Sequence, residues 1–172
     1  MLDSTPEPRV VVTDANILIN LAHVALFSVV GKLSGFRFVI PEEVRLEVKE
    51  PAQAAALGEA LAQNLLHVEP MAGTAELSVY SELRARFGPG ESACLSMAQA
   101  RSWLIATDEK RAFQQEVLRR LGPGRLLNTP GIILLAIRAG ALTVEEADEA
   151  KRRLEGKRFK MDFGSFTDLV EK

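Results

Sequence analysis

The sequence predicts an α/β fold: a three-layer α/β/α sandwich built on a mostly parallel sheet of four or five strands. Three observations carry the prediction. Val10-Val11-Val12-Thr13 is a β-branched apolar run that breaks into Asp14 just before a helical pattern begins, and Trp103 to Thr107 repeats the arrangement ahead of Asp108. Short apolar runs of this kind read as strands covered on both faces. Such runs alternate with helical patterns along the chain, which implies parallel strands joined by helical crossovers. The length of 172 residues, at 47% hydrophobic and 26% charged, is ordinary globular composition and enough for a single domain over 1–172 with a substantial core.

After the first strand, Ile17 to Val30 is apolar enough for a buried helix or helix pair, closing near Gly31 and Gly35. Phe36 to Ile40 reads as a second strand. Pro41 suits the first turn of a helix whose opening carries Glu42 and Glu43, where negative charge meets the helix dipole, and Pro51 stops it. Ala52 to Asn64 is alanine-rich and helical, Leu65 to Val68 is a short strand, and Thr74 opens a helix expected to bury Leu77, Tyr80, Leu83 and Phe87 on one face. Gly88-Pro89-Gly90 breaks the chain before a helix from about Glu91. The helix after Asp108 presents Phe113, Val117 and Leu121 at i, i+4 and i+8 and stops at Gly122-Pro123. Leu126-Leu127 forms a last strand, Thr129-Pro130 caps and opens the apolar helix to Gly140, and Thr143 to Glu146 is a capping box for a helix to about Gly156. From Phe159 the pattern alternates, with Phe159, Met161 and Phe163 against Lys160 and Asp162, as in an edge strand or extended arm. That helix and arm occupy about 141–172, ending in a turn of helix.

Composition narrows the function. The longest uninterrupted apolar run, Ile132 to Ile137, is too short to span a bilayer, and Met1 to Pro8 is polar and proline-bearing rather than a signal peptide. A cytoplasmic protein with no membrane partner is expected. The single cysteine, Cys94, rules out an internal disulfide, and one cysteine with His23 and His67 cannot build a zinc finger or ribbon. Any metal must sit on oxygen. The net charge of −2 argues against coating nucleic acid through the overall field, although local patches can still steer a phosphate backbone.

The acids carry the chemistry. In open α/β sheets ligands bind in the crevice at the carboxyl ends of the strands, where Asp14 stands; capping of the next helix is its competing role. Glu91 shares a stripe with Cys94, Leu95 and Ala98 at the first turn of its helix. A carboxylate facing the core neutralises, finds a partner or binds a metal, whereas one at a wet helix start only complements the dipole, worth about 0.3–1 kcal/mol. Glu47 sits beside Val44 and Val48 and can look inward, with Glu43 one turn earlier on the same side. Asp108 ends its strand as Asp14 does, so the two lie close. Two unit charges ~4 Å apart repel by about 4 kcal/mol at an effective dielectric of 20, and a divalent cation turns that repulsion into binding. All-oxygen ligation selects Mg²⁺ or Mn²⁺, ions that activate a water and steady developing charge at phosphate esters.

Asp14-Ala15-Asn16, Val44-Arg45-Leu46-Glu47, Gly90-Glu91 with Ala93 and Ala98 behind it, and Ala106-Thr107-Asp108 together resemble the four-acid signature of PIN-domain nucleases, in order and over nearly the whole chain. The tail, with Asn128-Thr129-Pro130-Gly131, the helix to Gly140 and Phe159 to Phe163, is similar to a prokaryotic PIN subgroup related to VapC-like toxins. The resemblance implies a Mg²⁺- or Mn²⁺-dependent endoribonuclease, often the toxin half of a toxin-antitoxin pair, with an RNA substrate, an antitoxin protein and a homodimer as its partners. Carried over residue by residue, Asp14, Glu47, Glu91 and Asp108 are the catalytic metal ligands, and Asn16 and Thr107 orient the first acid or the substrate. The family often has a hydroxyl two residues before its last acid. That spacing from Thr107 selects Glu109, while order off the strand selects Asp108 and leaves Glu109 to begin a solvated helical turn; the carry-over keeps Asp108.

Arg111, one turn after Asp108, and Arg45, on the helix of Glu47, are placed to bind phosphate at the rim. Lys151-Arg152-Arg153 and Lys157-Arg158 with Lys160 are the densest basic run, which a solvated face balancing Glu145, Glu146, Asp148 and Glu149 explains better. Tyr80 and Trp103 fit core positions rather than base-stacking platforms. Two alternatives stand beside the ribonuclease: a non-catalytic module of the same fold acting through a partner protein, and an aspartate-nucleophile phosphohydrolase. The latter expects a second Asp after the first acid and a lysine, and neither is well placed here.

Overall fold

A computed structural model describes residues 6–172; residues 1–5, the start of the polar Met1 to Pro8 segment, lie outside the described residues. Strand β1 (Arg9–Thr13) leads into α1 (Ala15–His23) and α2 (Phe27–Val30), the helix pair allowed by the apolar 17–30 segment. Next come β2 (Phe36–Ile40), α3 (Glu42–Glu47) and α4 (Pro51–Ala62). Pro51 plays a different part from the one expected, because α3 has already ended at Glu47 and Pro51 opens α4, whose N-terminal N–H groups are capped by the Glu50 side chain. The chain continues through β3 (His67–Val68), α5 (Gly73–Leu83), α6 (Pro89–Arg101), β4 (Leu104–Ala106), α7 (Arg111–Leu121), β5 (Leu126–Leu127), α8 (Thr129–Arg138), α9 (Val144–Gly156) and α10 (Thr167–Val170). No helix among the described residues is long and apolar enough to cross a membrane.

The five strands form one sheet in the order β3-β2-β1-β4-β5, and every pairing is parallel. Strands β2 and β3 are added outward on one side of β1, β4 and β5 on the other. The order therefore reverses between β1 and β4, where Thr13 pairs with Ala106. Helices α1, α4, α8 and α9 pack together as one layer, and α5, α6 and α7, with α3 against α6, as the other. Val11, Val12, Ile40 and Ile105 between the layers are fully enclosed, as are Ile17 and Leu18 of α1 and Leu95 of α6. Continuous apolar strands are what double coverage requires, and the result is the α/β/α sandwich the sequence predicts.

Three local expectations are revised. On α5, Leu77 is half-exposed while Glu76 is buried with Leu83, because Arg101 of α6 pairs with Glu76 at 2.6 Å and Ala72 N–H donates to the same carboxylate at 2.7 Å. A charged pair, not an apolar stripe, thus holds that face. At α8 the cap is Asn128, whose side chain accepts from Gly131 N–H, and Thr129 lies inside the helix. The Phe159 to Phe163 segment forms no strand. Met161 is buried, Phe163 packs edge-on against Phe166 at 4.9 Å, and Asp148 of α9 fastens the turn beyond by accepting from Ser165 Oγ at 2.6 Å and Phe166 N–H at 2.8 Å. In the basic run, Arg152 pairs with Glu149 as anticipated, whereas Lys151 is buried rather than solvated and pairs with Glu155.

Candidate metal and active site

The parallel pairing of β1 with β4 sets the first residues beyond each strand side by side, and Asp14 N–H donates to the Ala106 carbonyl at 2.9 Å. Helix α6 packs against β1, so its first turn reaches the same edge. One carboxylate oxygen each from Asp14, Glu91 and Glu109 lie within 4.8 Å of one another there. This is the crevice at the strand-order reversal where α/β sheets bind ligands.

Asp14 is buried, caps α1 and stands at the crevice edge. Its Oδ1 accepts from Ala15 N–H at 2.8 Å as the cap of α1, and its Oδ2 accepts from the Thr107 hydroxyl at 3.1 Å. Thr107, fully buried, also accepts from Glu109 N–H at 3.0 Å. Asn16 donates to Glu109 Oε1 at 2.8 Å and turns its own oxygen toward Asp108 N–H at 3.5 Å. Glu91, at the third position of α6, reaches back to Gly88 N–H at 3.2 Å, the carboxylate half of a capping box. Glu47 is exposed beside the cluster rather than in it, and accepts from Gly90 N–H at 2.8 Å. A Cβ on Gly90 would stand 2.8 Å from that carboxylate, so only glycine lets Glu47 dock there.

Asp108 does not join the cluster. Its Oδ1 accepts from Thr129 N–H at 2.8 Å, and its Oδ2 accepts from the Thr129 hydroxyl and from Asn20 Nδ2 at 3.0 Å. Glu109, expected in a solvated turn, is half-buried and takes the place assigned to Asp108. The physical reason is strand alternation carried past the last paired residue: side chains two apart share a side, so Thr107 and Glu109 face Asp14 and Asp108 faces α8. Arg45 is likewise not free for phosphate, since its Nε donates to Glu42 one turn earlier at 2.8 Å. Arg111 is exposed at the start of α7 and has no carboxylate partner among the described residues. Sequence reasoning overlooked Asn20 and Thr129, for which no pattern in the sequence pointed to Asp108; for Glu109 the hydroxyl spacing from Thr107 was the available signal.

Burial pushes the Asp14 carboxyl up to about 7, against the N–H of Ala15 and the Thr107 hydroxyl and with help from the negative Glu91 and Glu109. Burial, then Glu109, raises Glu91 above the usual carboxylate range. Elsewhere the chain neutralises its buried and half-buried acids with arginine, as at Glu76, Glu116 and Glu69; at Asp14, Glu47, Glu91 and Glu109 no lysine or arginine forms an ion pair among the described residues, and neutral N–H and hydroxyl donors do the holding.

A parallel α/β/α sandwich with an all-oxygen acidic cluster at its strand-order reversal is an α/β protein whose acidic centre can hold a divalent cation. A family model described as a PIN domain matches residues 10–166, and the chain belongs to the PIN-domain family. No curated protein matches it significantly. PIN domains are generally nucleases, and the cluster of Asp14, Glu91 and Glu109 fits a centre of that kind.

Two predictions follow from the charges and the packing. A carboxyl that holds its proton more tightly folded than unfolded favours the fold at low pH, and that contribution is lost as pH rises from the ordinary 3.8 through about 7. For Asp14 the loss amounts to at most about 4 kcal/mol. In chelator, urea unfolding midpoints of the wild type should fall between pH 5 and 8, and Asp14→Asn should remove most of that fall; an unchanged slope contradicts the burial argument. Gly90→Ala should leave thermal stability within about 1 kcal/mol, since alanine suits a helix and the clash is with a flexible side chain. It should weaken Mn²⁺ binding as much as Glu47→Gln does, by expelling Glu47 from Gly90 N–H; isothermal titration decides, and wild-type affinity in Gly90→Ala would remove Glu47 from the site.

Proposed function

We propose that the chain is a Mg²⁺- or Mn²⁺-dependent endoribonuclease, a homodimer in the cytoplasm that hydrolyses RNA phosphodiester bonds as the toxin of a toxin-antitoxin pair. The observation that carries this reading is the convergence of Asp14, Glu91 and Glu109 oxygens within 4.8 Å with no cationic side chain paired to them among the described residues. Three carboxylates form a hard donor set that fits Mg²⁺ or Mn²⁺ and offers nothing soft for Zn²⁺. Membership of the PIN family supports a nucleic acid as substrate.

Asp14, Glu91 and Glu109 would hold the cation, which would supply positive charge against the phosphate and acidify a water. The chain's own groups do the remaining work. Burial raises the Asp14 carboxyl to about 7, so a cation bound there would displace its proton and occupancy should rise with pH. Thr107 fixes Asp14, and Asn16 fixes Glu109, so two carboxylates keep their orientation as charge shifts at the phosphate. Glu47, docked on the first turn of α6, extends the negative rim. Arg111, unpaired with any carboxylate among the described residues, offers its guanidinium to a flanking phosphate. By analogy with the family the products carry a 5′-phosphate and a 3′-hydroxyl. The aspartate-nucleophile alternative is disfavoured: Asp14 is committed to Ala15 N–H and Thr107, and no lysine bonds to it among the described residues.

The test is cleavage of mixed-sequence RNA with Mg²⁺, Mn²⁺, Zn²⁺ or chelator. Cleavage is expected with Mg²⁺ or Mn²⁺ only, and Asp14→Asn and Glu109→Gln should each lower kcat roughly a hundredfold or more, as loss of a preorganised electrostatic group does, without lowering Tm. Full activity in either variant contradicts its assignment. Tight Mn²⁺ binding with no cleavage of any RNA favours the binding module that acts through a protein partner.

A further inference from the structure

Asp108 is surrounded by donors that come from two other elements. Thr129, fully buried at the start of α8, gives it both its N–H at 2.8 Å and its hydroxyl, and Asn20, buried on α1, gives it Nδ2 at 3.0 Å. Asn20 Nδ2 also reaches the Thr129 hydroxyl at 3.3 Å, which closes a three-membered ring of hydrogen bonds. The segment Asn128-Thr129-Pro130-Gly131 is shaped for this. Asn128 caps α8 through Gly131 N–H at 2.8 Å, where a Cβ on Gly131 would already stand 3.0 Å from the cap oxygen, and the cap leaves Thr129 N–H to Asp108. The ring pins one residue of a four-residue turn, 107–110, between two helices.

We propose that Asp108 is a positioning residue: through Asn20 and Thr129 it fixes the 107–110 turn so that Thr107 and Glu109, on the turn's other side, are held against Asp14 and Asn16. The inference rests on the proposed cation centre, in which Glu109 is a ligand and Asp108 is not. Its mechanical sense is direct. Glu109 N–H is bonded to Thr107 Oγ1 at 3.0 Å and its carboxylate to Asn16 at 2.8 Å, and both bonds require that the residue between them be turned away and held. Partners that orient a ligand from behind typically account for 10–100-fold in metal affinity.

The ring's hydrogen-bond direction is reversible, and that separates positioning from ligation. In Asp108→Asn the new amide faces the amide of Asn20, donor against donor. In Asp108→Asn with Asn20→Asp, the amide at 108 donates to the carboxylate at 20 and to Thr129 Oγ1, whose proton turns to the carboxylate, so the three side-chain bonds are remade in the opposite sense while Thr129 N–H still donates to the side-chain oxygen at 108. The full chain, cleared with chelator, is titrated with Mn²⁺ by electron paramagnetic resonance, and amide exchange of Glu109 is followed by NMR without metal. Asp108→Asn should weaken Mn²⁺ binding roughly tenfold or more and speed Glu109 exchange. The double variant should return both to within about threefold of wild type, the coupling a cycle of contacting residues shows. A double variant as weak in Mn²⁺ as Asp108→Asn overturns the proposal, because the charge at 108 is then what the ion needs; wild-type behaviour in Asp108→Asn overturns it as well. If the wild type takes up no Mn²⁺ the cation centre itself fails, while Glu109 exchange still decides whether the ring positions the turn. Should Asp108→Asn not fold, Thr129→Val against Thr129→Ser gives the same contrast, with the serine expected to restore binding and exchange and a serine as weak as valine contradicting the role.

Discussion

Three carboxylates crowded at one sheet edge are an expensive arrangement, and much of the local structure exists to maintain it. Each close pair of charges repels by about 4 kcal/mol at an effective dielectric of 20. The neutral donors that hold them return about 1.5–3 kcal/mol for each hydrogen bond to a charged group, and α6 contributes about 0.3–1 kcal/mol through its dipole at Glu91. Those terms orient the carboxylates without neutralising them. The balance is met by a proton on Asp14, whose carboxyl burial raises to about 7, or by a cation. At Glu76 and Glu116, by contrast, the chain spends arginines on its buried acids, and burial there is stabilised rather than left open.

The sheet makes this crowding possible. Reversal of strand order between β1 and β4 leaves the ends of two adjacent parallel strands without a crossover above them, so Asp14 and the 107–110 turn meet with their backbones joined through Asp14 N–H and the Ala106 carbonyl. Helix α6 adds Glu91 from the side, and α3 ends where Glu47 can reach the freed N–H of Gly90. Four elements far apart in sequence therefore aim at one point. Helices α1 and α8 stand behind it and carry the Asn20 and Thr129 donors that turn Asp108 away.

The architecture was legible because its signals are redundant. Double-faced apolar strands, Gly-Pro breaks and helical periodicity all favour the same parallel sandwich, and Asp14 and Glu91 stood out as acids on apolar surfaces. Most of what failed had one cause: a side chain's partner comes from another element, Arg45 being the exception, paired within its own helix. Glu76 is polar and Leu77 apolar, yet Arg101 draws Glu76 inward and leaves Leu77 half-exposed. Arg45 was available for phosphate until Glu42 took it one turn earlier. Asp108 and Glu109 follow the same strand, and order off the strand selects Asp108; Thr129 and Asn20, remote in sequence, claim that residue instead. The hydroxyl two residues before Glu109 marks the acid that reaches the cluster, because strand alternation places both on one face. The alternating Phe159 to Phe163 reads as a strand by period alone, but Phe166 and Asp148 hold the region as a packed turn.

The central claim is that the cation site is built from Asp14, Glu91 and Glu109, with Asp108 held outside it. The anomalous scattering of Mn²⁺ soaked into crystals of the chain tests this directly, because it locates the ion without reference to activity. A single strong peak bonded to oxygens of those three residues, with Asp108 still on Thr129 and Asn20, is the predicted result. A peak ligated by Asp108, or saturating Mn²⁺ that leaves the three carboxylates without an ion, would contradict the account.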